Sequence, residues 1–188
     1  MANFTKPAIK ASFMKLLNER PLNKISVRDI VEDCGINRNS FYYHFQDIPS
    51  LLGEIIEDET ERLIQEYSSV SSLDECFYAA FRFLQENKRA VMHIYDSVNR
   101  EMLTKNALRR CEYVVSSYID TVYPDVRICQ TDKQIVIRFI GCQLYGMCVD
   151  WIEHGMTDSA YDDLRRMLEL VRDLPELIVR RSTETSAV

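Results

Sequence analysis

Residues 26–45, SVRDIVEDCGINRNSFYYHF, decide the fold of this chain. Ser26 is a helix N-cap by type, and Asp29, three residues on, puts a carboxylate in the positively polarised first turn. Val27, Ile30, Val31 and Cys34 follow at one-face helical spacing. Gly35 ends that helix, because a residue just past a helix terminus often needs positive φ, which glycine adopts without a Cβ clash. Ile36 plugs the angle between the helices, and Asn37 caps the next one. This second helix runs over residues 38–44, roughly 10 Å at 1.5 Å per residue, a length suited to a groove about 12 Å wide. Phe41 and Phe45 point inward. Arg38, Asn39, Ser40, Tyr42, Tyr43 and His44 are left mostly outward, supplying donors and acceptors but no acid that a phosphate would repel. A plain hairpin in a helical bundle fits poorly, since two adjacent tyrosines and a histidine cannot all face inward on so short a helix.

The stretch resembles the helix-turn-helix of the TetR family of bacterial transcriptional regulators, through Ser26, Gly35 and the run Ser40, Phe41, Tyr42, Tyr43, His44, Phe45. The resemblance implies that Tyr42 and His44 contact phosphates and that Arg38, Asn39 and Tyr43 face base edges. Ser26, Arg28, Asn37 and Ser40 complete the expected DNA-binding set. It also implies a homodimer joined through the last two helices, reading a palindromic operator in double-stranded DNA. The function expected is that of a repressor released by a small-molecule effector, with a DNA-bound activator or corepressor-dependent factor acting through a protein partner as the alternative. Two positions depart from the family pattern. Pro21 stands where Gly is usual, and no Lys occurs among Asp47, Ile48, Pro49 and Ser50, which shifts the expected phosphate contact there to backbone amides.

Charge supports this polarity. The chain has 188 residues and a net charge of −6, yet residues 1–50 hold seven Lys and Arg against five acids. A mildly basic head on an acidic body steers DNA to one end. The composition, 46% apolar with five Gly and five Pro, and the helical spacing of apolar residues predict an all-α fold of about nine helices. Residues 1–47 are expected as the three-helix DNA-binding head, 48–181 as a helical ligand-binding and dimerisation body, and 182–188 as a frayed tail.

Thr5 is a candidate cap for a first helix over residues 5–20, with Ile9, Phe13, Leu16 and Leu17 inward and Pro21 as its stop. A fourth helix over residues 48–67 would form a rod about 30 Å long, linking head to body, before the break marked by Ser68, Ser69, Ser71 and Ser72. Further helices are expected over 73–87, 90–96, 100–122 and 132–154, with a last one from 160 onward that Pro175 must interrupt. The 132–154 segment is apolar almost all round, so it is central or covered by a partner. Gly141 and Gly146, each costing about 1 kcal/mol against Ala in a helix, suggest close approach of another helix or a ligand.

Catalysis finds little support. No HExxH, Walker loop, GxGxxG or GxSxG occurs, and His44, His93 and His154 lack the Glu three residues before them that helical di-iron sites use. No cofactor and no metal site is expected. Six cysteines, at 34, 76, 111, 129, 142 and 148, form no CxxC pair, and with no signal peptide or apolar run of eighteen residues a reduced cytoplasmic protein off the membrane is expected. Phe77, Phe81, His93, Tyr95, Tyr113 and Tyr145 are the candidates to line an effector pocket, as aromatic or polar groups in otherwise apolar helices.

Overall fold

The computed structural model describes residues 4–66, 73–97, 100–124, 128–171 and 173–185, and the described residues contain helices and no strand. The helices are α1 (Thr5–Glu19), α2 (Val27–Asp33), α3 (Arg38–His44), α4 (Ile48–Glu66), α5 (Leu73–Glu86), α6 (Lys88–Tyr95), α7 (Arg100–Val122), α8 (Gln130–Glu153), α9 (Asp158–Leu170) and α10 (Leu174–Thr185), with a 3-10 turn at Leu22–Lys24. The described residues hold ten rather than nine because the last expected helix is two. Pro175 sits at the second position of α10, inside the first turn, where its missing N–H costs no helical bond.

Other expectations shift at the helix ends. Thr5 is the first helical residue of α1 rather than its cap, and Phe4 precedes it with no side-chain cap bond. The fraying expected from Ser182 does not begin there: α10 continues to Thr185, and the buried Ser182 hydroxyl donates to Asp132 Oδ2 at 2.6 Å. Tyr67, the serine-marked break after α4 and residues 186–188 lie outside the described residues.

The chain divides into two compact units. The first joins residues 1–61 to residues 86–103. Its core is Ile9, Phe13, Leu16 and Leu17 of α1, Ile30 and Val31 of α2, Phe41 and Phe45, and Leu51 and Ile55 of α4. α6 belongs to this unit, packing on α1 through Ala90 and Ile94. His93 Nδ1 lies 2.6 Å from Leu17 O. A carbonyl only accepts, so Nδ1 carries the proton, and the bond satisfies one of the α1 C-terminal carbonyls that have no intrahelical partner. Lys6 and Lys10 of α1 pair with Glu54 of α4, and Lys10 also with Asp58.

The second unit comprises residues 62–85 and 104–188. Phe81, Val115, Ile119, Leu144, Trp151 and Met156 are buried in it. The Phe81 and Trp151 rings pack at 5.2 Å between centroids. The α7–α8 hairpin closes tightly at Gly141, where a Cβ would stand 2.9 Å from Glu112 Cγ, so the close approach expected there is to α7. Gly146 has nothing within 4 Å of its Cβ position. One side of α8 is left uncovered by the described residues: Ile135 and Phe139 are 61% and 55% exposed, and Cys142 is exposed too.

Candidate nucleic-acid interface

The α2–turn–α3 segment is held by side-chain caps at both helix starts. Ser26 Oγ accepts from Asp29 N, while Asp29 Oδ2 accepts from Ser26 N at 2.8 Å, a reciprocal capping box. Those bonds from Ser26, and the Arg20 guanidinium 3.2 Å away, hold the Asp29 carboxyl below its usual range. Gly35, at φ +69°, turns the chain out of α2, and Ile36 N donates back to Val31 O at 3.0 Å. That six-to-one bond is the Schellman closure that a left-handed residue permits. Asn37 Oδ1 accepts from Ser40 N at 2.8 Å and from Ser40 Oγ at 3.1 Å, starting α3.

These caps leave the outer surface of α3 clear. Phe41 is fully buried and Phe45 nearly so, with rings 5.8 Å apart. Tyr43 is 81% exposed, Tyr42 is 47% exposed, Arg38 and Asn39 are exposed, and Ser40 and His44 are half-buried. Tyr43 and His44 meet edge to face at 5.0 Å. Phe41 and Phe45 are thus inward and Arg38, Asn39, Tyr42 and Tyr43 outward, as the spacing predicts, while Ser40 and His44 fall between. Ser26 and Asn37 are exposed, but their oxygens serve the backbone as caps, and Arg28 Nε donates to Glu32 Oε1 at 2.7 Å. Lys6, which the spacing did not single out, lies 5.6 Å from the Phe45 ring centroid at the end of α3.

The start of α4 differs from expectation. Asp47 Oδ1 accepts from Ser50 N at 2.7 Å, Ser50 Oγ donates to Asp47 O, and Pro49 has no N–H. The backbone amides expected to replace the missing Lys are thus largely used or absent, and a carboxylate sits where an anion would dock. The physical reason is that Asp is a better cap for its own helix than an external phosphate is, being tethered to it.

The six effector-pocket candidates are divided between the two units. Phe81 is core against Trp151, Tyr113 is exposed, and the Tyr145 hydroxyl donates to Thr104 Oγ1 at 2.8 Å. His93 and Tyr95 are on α6 in the first unit, and the Phe77 side chain lies outside the described residues. Among the described residues no group of three or more His, Cys, Asp or Glu is placed to hold a metal.

A short helix with an acid-free, hydrogen-bonding outer face, seated on a second helix through a left-handed glycine turn, defines a helix-turn-helix DNA-binding protein. Residues 11–55 match the bacterial regulatory proteins of the tetR family, and residues 71–173 match a transcriptional regulator C-terminal region of the same group. The chain belongs to the TetR family of transcriptional regulators, whose members act by binding DNA and not by catalysis. It is 31% identical over 84 residues to the HTH-type dhaKLM operon transcriptional activator DhaS of Lactococcus lactis subsp. lactis (strain IL1403), covering 45% of each chain. It is 20% identical over 173 residues, 91% of its own length, to the HTH-type regulator YxbF of Bacillus subtilis (strain 168). The matched stretches span 45% and 46% of those relatives. A solved structure of a dihydroxyacetone kinase operon activator DhaS superposes with a TM-score of 0.69 at 20% identity, covering 95% of this chain and 96% of that one, a likeness of fold.

Proposed function

We propose that the protein is a cytoplasmic, homodimeric regulator that binds a palindromic operator through α3, and whose output depends on the state of its second unit. The observation that carries this reading is the outward set on α3, Arg38, Asn39, Tyr42 and Tyr43, with His44 half-exposed beside them, standing on the buried anchors Phe41 and Phe45. Arg38, Asn39 and Tyr43 face bases, while Tyr42 and His44 hold phosphates, with Ser26, Arg28, Asn37 and Ser40 around them. One short helix reads few bases, so a two-fold pair with half-sites about 34–36 Å apart supplies the specificity. The uncovered apolar side of α8 supports such pairing, and the family resemblance gives the last helices the same role.

α8 also has the length and mean hydropathy, 1.4, of a membrane-crossing helix. A second copy suits it better than lipid, because Gln134, Arg138, Gln143 and Asp150 are exposed along the same helix and charges at bilayer depth are costly.

In the first reading the output is repression, relieved when a small molecule binds the DNA-incompetent dimer more tightly than the DNA-competent one, since equal affinity shifts nothing. A second reading, activation through a protein partner, is favoured by the likeness to a relative named as an operon activator. A gel shift on the DNA flanking the protein's own gene tests the shared core: Tyr43→Ala, whose side chain packs against little, weakens binding while leaving the circular dichroism spectrum unchanged. Unaltered binding by Tyr43→Ala and His44→Ala together would remove α3 as the reader. A promoter fusion assayed with and without the protein then separates repression from activation.

A further inference from the structure

Arg28 on α2 and Arg38 on α3 are held by partners of opposite character. Arg28 Nε donates to Glu32 Oε1 one helical turn on, at 2.7 Å, so a carboxylate meets its charge. Arg38 Nη2 donates instead to the Tyr42 hydroxyl at 3.3 Å, and its guanidinium carbon lies 5.6 Å from the Tyr42 ring centroid. That partner is neutral. The spacing is i, i+4, at which helix side chains are neighbours, and both residues are exposed on the outer side of α3.

We infer that Tyr42 is the positioning residue for Arg38, and that the pair reads a guanine in each half-site. The inference rests on α3 being the DNA reader, as proposed above. A free arginine carries the rotamer entropy of a long side chain, which a base contact must overcome. Stacking over the tyrosine ring and one hydrogen bond to its oxygen restrict that freedom before DNA arrives. The guanidinium spends a single Nη2 hydrogen on Tyr42 and keeps Nε–H, both Nη1 hydrogens and the other Nη2 hydrogen. Guanine is the base that offers two adjacent acceptors, O6 and N7, to such a fork in the major groove. Tyr42, accepting from Arg38, still has its own hydroxyl proton to donate, and a phosphate oxygen beside the base is an acceptor that fits. One ring thus ties register on the backbone to the direction of the arginine. Arg28 is less suited to the role, because reaching a base would break its pair with Glu32.

The test is selection of sites from a random duplex pool by the full-length protein, followed by titration against the selected site and against the same site with the guanine changed to adenine. Wild type selects one G per half-site and prefers it by about tenfold to 100-fold. Arg38→Ala loses that preference at that position alone. Tyr42→Ala lowers the G-to-A ratio by about two- to tenfold. Tyr42→Phe, which retains the ring, keeps more of the ratio than Tyr42→Leu, which retains only bulk. The inference is overturned if Tyr42→Ala weakens binding to both sites equally and leaves the ratio untouched, which is what a phosphate contact without positioning would give. It is overturned equally if Arg38→Ala leaves the selected base unchanged, though α3 would still stand as the reader. Failure of wild type to select any site would sink the DNA-reading proposal and this inference together.

Discussion

Asp29 is used three times over, and its substitution separates the uses. Its carboxylate accepts from the Ser26 amide and hydroxyl and faces Arg20, while Asp33, four residues on along the same short helix, accepts from Lys15 of α1. Both carboxyls are held below their ordinary range, Asp29 chiefly by Ser26 and Asp33 chiefly by Lys15. The folded state therefore binds fewer protons than the unfolded one between the two pKa values of each group, so stability there rises with pH. It is fully present above the unfolded carboxyl value, roughly 3.9, and is lost as pH falls through the depressed folded value. Melting followed by circular dichroism should show a midpoint that drops steeply below about pH 4 in wild type and less steeply in Asp29→Asn with Asp33→Asn. A parallel drop in the double variant would assign the acid sensitivity elsewhere. Ser26→Ala, by contrast, removes the cap at every pH, at a cost of about 1 kcal/mol.

At the scale of the element, the turn between α2 and α3 is controlled by backbone conformation and not by space. Nothing lies within 4 Å of a Cβ at Gly35, yet its φ is +69°. Gly35→Ala should cost about 1 kcal/mol, and Gly35→Asn less, because Asn tolerates the left-handed region. Hydrogen exchange of the α2 and α3 amides measures the difference, and equal protection in all three proteins would show the turn to be unstrained. This turn, both caps and the two-sided character of α3 were legible in the sequence, since each depends on residues within a few positions of one another. The place of α6 was not. Residues 90–96 read as a short apolar piece of the body, but Ala90, His93 and Ile94 serve α1, a contact between segments some seventy residues apart that no local period encodes. An effector pocket is hard to read from sequence for a related reason: periodicity finds an inward aromatic, and only packing decides whether Phe81 meets Trp151 or a ligand. The bond from His93 to Leu17 O gives α6 a measurable role. His93→Ala should lose about 1 kcal/mol and speed exchange in the last turn of α1, and unchanged exchange there would reduce the bond to a surface contact.

At the scale of the whole molecule, the side of α8 that bears Ile135, Phe139, Cys142 and Gly146 at spacings of four, three and four is exposed along one stripe among the described residues. On α9, Met167 and Leu170 are exposed as well. Covering a large apolar side chain is worth about 1.5–3 kcal/mol, and in a two-fold dimer every such residue counts twice. Phe139→Glu should therefore weaken pairing by at least about 3–6 kcal/mol, enough to make the protein monomeric at micromolar concentration in analytical ultracentrifugation. Because Phe139 is more than half exposed in the single chain, the variant should keep its helical spectrum and melting temperature as a monomer. Cysteine labelling gives an independent measurement. The thiols of Cys111, pushed up to about 11 by burial, and of half-buried Cys148, pushed up further by desolvation, should label slowly in any state. Cys129 is exposed and should label quickly in both proteins. Cys142, on the stripe, should be protected in wild type and become reactive in Phe139→Glu. Operator binding should fall with pairing, since each monomer holds only one half-site. A Phe139→Glu protein that sediments as a dimer with Cys142 still protected would move the interface off this stripe, and then Gly146, open on the same helix, would have no packing reason to be glycine.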